Sequence, residues 1–284
     1  MALKFKKPEV KQQRLKMLVY GEMGSGKSSI CCAMPNVAYF DTEDTSSKIK
    51  YAKAIADNGG GVINTGDLDE IIAQVKELMT QKHDFKTVVI DSLTVAYENL
   101  IIECEKRVGS DFGRHIAAAD AKVKQLINLL LRIDANVIVT CQAKKEYGDN
   151  MTLKGTTYAG YKRLGYMFDL VLETHVAGKQ FYAVVKKSRL DTFETNEDIN
   201  FNYAEVIKRC GIESLEKAVT PQNLATKEQV GEIKRLVSLL SIPPDMVEKW
   251  FTKANCDCFE DMPQEIIAKC ITTLQDKINS KEVK

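Results

Sequence analysis

The eight residues GEMGSGKS, Gly21 to Ser28, decide how the rest of the chain is read. They match G-x-x-x-x-G-K-[ST]. They lie between an apolar run, LKMLVY (15–20), and a helix-forming run, KSSICCAM (27–34), that Pro35 ends. Strand, glycine-rich loop and helix in that order make the motif a phosphate cradle rather than an incidental turn. Gly21, Gly24 and Gly26 let the backbone bend tightly and approach a phosphate, and successive N–H groups at the helix start supply positive charge. Lys27 is expected to reach the β- and γ-phosphates and Ser28 to ligate Mg²⁺. Glu22, Met23, Ser25 and Ser29 complete the stretch expected to touch the nucleotide.

Working outward, VAYF (37–40), GVINT (61–65), TVVIDS (87–92) and NVIVTCQ (136–142) read as strands. Helical spacing covers 46–57, 67–81, the residues after 92 to about 107, and 114–133. Two further strands fall near 169–174 and 180–187, after a polar segment from 143 to about 160. Short, wholly apolar strands alternating with helices predict an α/β fold, a mainly parallel sheet with both faces covered. A Pro- and polar-rich stretch, 218–225, reads as a linker to a small helical C-terminal module, 226–284, with helices at 226–241, 243–254 and 263–280. The ATPase-like core is thus expected over 15–217, behind a basic arm, 1–14.

The bulk composition limits the partners. Net charge is +1, so nucleic-acid binding must come from local basic segments. Eight cysteines form no C-x-x-C pair and the three histidines are scattered, which argues against a structural zinc site. No long apolar run or signal peptide is recognisable, so a cytoplasmic protein with reduced thiols is expected. From Thr226 onward nine Lys/Arg face ten Asp/Glu, which argues against non-specific DNA binding and leaves docking to a protein, or a small capping bundle with no partner, as equal alternatives.

YFDTEDT (39–45) then raises a question of charge, since it places Asp41, Glu43 and Asp44 near a site made for phosphate. Hydrolysis supplies the reason, because a carboxylate must hold and polarise water opposite the γ-phosphate. Glu43 is expected to do this. Asp41 is expected to support the metal shell or fix the turn, and Asp44 to sit in the favourable helix-start region. Asp91, ending TVVID, is the expected second Mg²⁺ residue, with Ser92 either a hydrogen-bond donor or, preferably, the cap of the next helix. Gln142 ends its strand where it can sense the γ-phosphate. Tyr51 is a possible stacking face for the base.

These motifs, in this order, resemble the RecA-type recombinase core over roughly residues 15–205. Asp41-Thr42-Glu43 stands where RecA proteins carry an acid after the phosphate-loop helix. Asp91-Ser92 stands for their metal aspartate and serine, and Gln142 for the glutamine opening a DNA-binding loop. VVKKSR offers Lys186, Lys187 and Arg189 where the family has cations reaching a neighbouring subunit's ATP, although Ser188 replaces a second lysine. A long N-terminal polymerisation domain of the RecA kind is not recognisable. Size and the helical tail look most like the small bacteriophage-encoded RecA-like ATPases of recombination and single-strand annealing. The resemblance implies ATP held between protomers of a ring or filament, in the host cytoplasm if the chain is phage-encoded.

The segment after Gln142 carries Lys144, Lys145, Lys154, Lys162 and Arg163 against two acids, with Tyr147, Tyr158 and Tyr161 interleaved. Cations that follow a backbone and rings that stack on bases suit single-stranded DNA. The alternative is a solvated loop whose tyrosines pack inward. EKRVGSDFGRH (105–115), with Arg107, Phe112 and Arg114, is a second possible contact or simply a helix connection. The expected function is a single-stranded-DNA-stimulated ATPase of recombination. The alternatives are an ATP-dependent DNA motor or loader, and a binding module that uses ATP structurally. The C-terminal module is a possible dock for a single-strand-binding or other replication protein.

Overall fold

A computed structural model of the protein describes residues 14–148, 151–217 and 220–282. The expected basic arm therefore lies outside the described residues, apart from Arg14. The sheet is built from β1 (Lys16–Gly21), β2 (Val37–Asp41), β3 (Gly61–Asn64), β4 (Thr87–Asp91), β5 (Asn136–Tyr147), β6 (Leu153–Tyr158), β7 (Leu170–Ala177), β8 (Gln180–Ser188) and β9 (Asp198–Asn200). Its order is β3-β2-β4-β5-β1-β7-β8-β9, with β6 hanging on β5. From β3 to β7 every pairing is parallel; β7–β8, β8–β9 and β5–β6 are antiparallel. This is the RecA-like arrangement, with β5 inserted between the strand that leads to the phosphate loop and the strand that ends in Asp91.

The apolar runs explain the layering. Side chains alternate across a strand, and both faces of these strands are buried. Leu18, Val88, Ile90, Val137 and Val139 pack with α3 (Leu68–Thr80), α4 (Leu93–Val108) and α5 (Arg114–Arg132). Met17, Val19, Val89, Ile138 and Leu172 pack on the other side with α1 (Lys27–Ala33), α2 (Ile49–Asp57), α7 (Tyr203–Cys210) and α8 (Ile212–Glu216). A short α6 (Leu164–Met167) precedes β7. The buried Lys16 is satisfied by the carbonyls of Leu130, Ile133 and Ala135, each at 2.8 Å, and so closes the end of α5.

Three expectations change. The polar segment after Gln142 is not a loop, because β5 runs on to Tyr147 and returns as β6, pairing Lys144 with Thr157 and Lys145 with Thr156. Thr156, Thr157 and Tyr158 are good strand formers, and the hairpin ladder satisfies backbone groups that a loop would leave to water. The second helix begins at Ile49 rather than 46, with Lys48 as its N-cap, so Asp44 sits in the preceding turn at φ 53° and not at a helix start. The region 198–217 adds β9, α7 and α8, which sequence periodicity left unread.

At the C-terminal end, α9 (Lys227–Leu239), α10 (Pro244–Ala254) and α11 (Gln264–Glu282) pack around Val230, Ile233, Leu236, Met262, Ile267 and Leu274. A Thr226/Gln229 capping box starts α9, and a proline in the first turn starts α10. The module rests on α3 and α5 through polar contacts. Asp257 meets Lys124 at 2.8 Å and Asn128 at 2.6 Å; Asp261 meets Lys76 at 2.5 Å and Gln125 at 2.6 Å. Among the described residues no helix is long and apolar enough to cross a membrane, and no His/Cys/Asp/Glu trio is placed to hold a metal ion.

Candidate nucleotide site

Register brings the motifs together. Gly21, at the end of β1, lies between Gln142 on β5 and Thr174 on β7, and Asp41 lies beside Asp91. Their side chains meet at the carboxyl ends of parallel strands, where open α/β sheets bind ligands. A cavity of about 410 Å³ opens there, lined by Gly21–Gly24, Lys27, Ser28, Glu43, Thr45, Tyr51, Asp91, Ser92, Gln142 and Ala143.

Two glycines in the loop are sterically required. A Cβ on Gly21 would lie 2.2 Å from Thr174 Oγ1, and one on Gly26, which has φ +92°, would lie 2.6 Å from Phe181 Cγ. Ser25 does not face the cavity; its hydroxyl donates to the Glu22 carbonyl at 2.8 Å and lies 2.6 Å from the Thr174 hydroxyl, pinning the loop from behind. Lys27 folds over the loop and donates to the carbonyls of Gly21 and Glu22, both at 2.9 Å. Burial lowers its pKa, while Asp91, Glu43 and Glu22 act the other way. A phosphate entering the loop would replace those carbonyls as the partner of the ammonium. Met23 is fully exposed, and Ser29 is not among the lining residues.

The acids separate by environment. Asp41 is buried and fixes the turn: its carboxylate accepts from Glu43 N at 3.1 Å and from Ser46 N at 2.6 Å. Thr42 clamps that turn to the next strand, donating to Ser92 O at 2.9 Å and accepting from Ser92 N at 2.8 Å. Glu43 faces the cavity, where one carboxylate oxygen accepts from Ser92 Oγ at 2.6 Å and from Gln142 Nε2 at 3.1 Å. Ser92 holds the N-cap position of α4, but its hydroxyl makes no capping bond and serves Glu43 instead, which corrects the expected preference.

Asp91 is buried, yet it borders the cavity. The hydroxyls of Tyr39 and Thr140 donate to its two oxygens. Burial, and then the neighbouring Asp91, push the Tyr39 phenol well above its usual pKa, so it stays a donor. Ser28 and Asp91 share the cavity and offer a hydroxyl and an oriented carboxylate, an all-oxygen set that fits Mg²⁺. Tyr39 and Thr140 were not foreseen as site residues; each lies inside an apolar strand, and only the sheet register brings them to Asp91.

The remaining expected residues divide. Lys144, Lys145, Tyr147, Lys154, Lys162 and Arg163 are exposed. Tyr158 is half-buried, edge-on to Tyr20, and its hydroxyl donates to Lys162 O at 2.8 Å and accepts from Gly165 N at 3.0 Å. Tyr161 is only 7% exposed and belongs to the core, so its ring is not a stacking surface. Phe112 stands fully exposed at φ 52° in the turn between α4 and α5, with Arg107 and Arg114 also exposed.

Lys186 and Arg189 do not line the cavity. Lys186 pairs with Glu173 at 3.1 Å, and Arg189 with Asp169 and the Tyr166 carbonyl, both at 3.0 Å. Lys187 donates to three carbonyls at the end of α6 and just beyond. Glu173 also accepts from Thr156 of the hairpin, a tie that no motif announced.

A phosphate loop, a buried acid at the end of β4, one strand removed from β1, and a cavity-facing glutamate define a nucleotide-binding P-loop core of the ATPase type. The chain belongs to the AAA domain family, whose model matches residues 13–200. A search of curated proteins finds no significant match. Among solved structures, the RadB recombinase is similar at 21% identity over 66% of this chain and 86% of that chain, with a TM-score of 0.45. A DnaB-like replicative helicase is similar at 9% identity over 63% of this chain and 54% of that chain, with a TM-score of 0.41.

Proposed function

We propose that the protein hydrolyses ATP with Mg²⁺ in step with single-stranded DNA, as a RecA-like recombinase or annealing protein of the small phage type, acting in the cytoplasm. One observation carries this reading. The Glu43 carboxylate, facing the phosphate-loop cavity, is held by Gln142, and Gln142 is the root of a basic hairpin. Glu43 takes a proton from water as that water attacks the γ-phosphorus, and ADP leaves with the electron pair of the broken bond. Ser28 and Asp91 hold Mg²⁺, which supplies charge neutralisation to the phosphates. Lys27 adds a fixed positive charge on the same side.

The γ-phosphate competes for the Gln142 amide and so alters the strand that carries Lys144 and Lys145. By linkage, DNA on the hairpin then tightens ATP binding, and ATP tightens DNA binding. In a ring or filament, Lys186 and Arg189 leave Glu173 and Asp169 for a neighbour's ATP. The C-terminal module docks a single-strand-binding or other replication protein.

The test is ATP turnover with and without saturating single-stranded oligonucleotide at low salt. The expected result is a severalfold rise, and unchanged turnover removes the recombinase reading. Strand displacement on a tailed duplex, in place of annealing, would move the protein to the motor class.

A further inference from the structure

The C-terminal module has a groove that the core does not use. It lies between α10 and α11, holds about 360 Å³, and is lined by Trp250, Lys253, Ile266, Lys269, Cys270 and Thr273. The spacing explains it. Ile266, Lys269, Cys270 and Thr273 fall on one face of α11, and Trp250 and Lys253 fall three apart on α10. Trp250, Ile266 and Cys270 are half-buried and form an apolar floor; the two lysines are exposed at the rim.

Charge sets this groove apart from most of the module, Lys227 at the start of α9 being another cation without an ion pair among the described residues. Elsewhere in the module, Lys234 pairs with Glu260 at 2.6 Å, Arg235 with Glu232 at 2.8 Å and Lys249 with Asp245 at 3.3 Å. Among the described residues neither Lys253 nor Lys269 has an ion pair, and no carboxylate lines the groove. Two ammonium groups with no carboxylate at ion-pair distance thus flank an apolar slot whose lining holds no acid.

We infer that this groove receives a short acidic segment of another protein. One aliphatic or aromatic side chain of the segment enters against Trp250 and Ile266, and its carboxylates pair with Lys253 and Lys269. The volume suits a single anchor with its neighbouring backbone, at the small end of the roughly 300–1,000 Å³ of ligand pockets. Nucleic acid fits less well, because a phosphate chain needs a continuous basic track and this module is nearly neutral. The chain's own arm, with Lys4, Lys6, Lys7 and Lys11, carries the wrong charge. This deepens the docking role proposed for the module and gives that partner a chemistry.

The chain has a single tryptophan, so its fluorescence reports on this groove alone. The full-length protein is titrated, without ATP or DNA, with a synthetic peptide carrying two aspartates beside a phenylalanine. Parallel titrations use the same peptide with asparagines, the same peptide with lysines, and a single-stranded oligonucleotide. A saturable Trp250 shift with the acidic peptide is expected. Replacing its aspartates by asparagine, or the protein's Lys253 and Lys269 by glutamate, should weaken binding about tenfold, the sum of two exposed ion pairs. DNA-stimulated ATP turnover should be unchanged in the Lys253→Glu/Lys269→Glu variant, and its melting temperature reports its folding. The inference is overturned by absence of any saturable shift, by equal binding of the asparagine peptide, by competition from the oligonucleotide, or by a shift that follows protein concentration alone, which would assign the groove to a second copy. None of these outcomes bears on hydrolysis at Glu43, so this inference and the ATPase reading fail separately.

Discussion

The two halves of β5 make the most instructive comparison in the molecule. From Asn136 to Cys141 every residue is buried, and Thr140 donates to Asp91. From Gln142 to Tyr147 the same strand projects past the sheet, carrying two exposed lysines and an exposed tyrosine. The inner half, through Thr140, holds the Asp91 carboxylate in place. Beyond Gln142 the outer half leaves most of its side chains exposed. A single strand therefore joins rigidity to access, and Gln142 stands at the boundary with its amide on Glu43.

The sharpest test of the cavity beside the inner half is Glu43→Gln. If Glu43 is the general base, as proposed, its loss should lower ATP turnover about 10²–10⁴-fold, the usual worth of such catalysis. ATP binding, followed by equilibrium titration, should persist, because the loop and Lys27 are untouched. Undiminished turnover would pass the role to Asp44 or another group. Ser92→Ala provides a finer version: it removes one of the two donors to Glu43 and should cost less than Glu43→Gln.

Removing Lys144, Lys145 and Lys154 together tests the outer half. Each single-strand phosphate contact contributes about 0.7 to the slope of log affinity against log salt. Losing three should flatten the slope by about 2 and weaken binding about a hundredfold at 0.1 M salt. DNA-free ATP turnover should stay as it was. A uniform loss with an unchanged slope would mean that these lysines support the hairpin rather than touch phosphate.

Gln142→Ala attacks the boundary itself. Basal hydrolysis and DNA affinity, measured separately, should each fall only a fewfold. The stimulation of one by the other should fall about tenfold, a coupling loss of about 1.4 kcal/mol. If stimulation survives, the path between the sites runs elsewhere, and the Thr156–Glu173–Lys186 contacts become the next place to cut.

The sequence disclosed the cavity's own residues far better than the strand that supports them. The phosphate loop, Asp91 and Glu43 are legible because their chemistry ties residue type to strand ends, and strand ends follow from apolar runs. The groups that position them are not legible. Tyr39 and Thr140 are ordinary strand residues until β2, β4 and β5 pair in register. The hairpin looks like a polar loop in the sequence because β5 beyond Gln142 is almost wholly exposed and β6 shows no alternation of burial, so only the backbone pairing reveals the strands. Asp44 falls short of the helix its sequence position suggests, because a turn governed by Asp41 delays that helix to Ile49.

The tyrosines give the smallest test of the comparison, and one that separates stability from contact. Tyr147 and Tyr161 look alike in the sequence, as aromatic residues among lysines. Tyr147 is 53% exposed on the hairpin, whereas Tyr161 is 7% exposed among Leu164, Phe168 and their neighbours. Tyr161→Ala should therefore lower unfolding stability by about 3 kcal/mol, the cost of emptying an aromatic core site. Its effect on DNA should vanish once the folded fraction is taken into account. Tyr147→Ala should leave stability within about 0.5 kcal/mol, as at an ordinary surface position. It should weaken single-stranded DNA by about 1 kcal/mol, roughly a factor of five, if its face accepts a base. Denaturant melts and fluorescence anisotropy on both variants decide the matter. A Tyr147→Ala protein that binds DNA normally would confine the outer half of β5 to electrostatics and leave the lysines as its whole contribution.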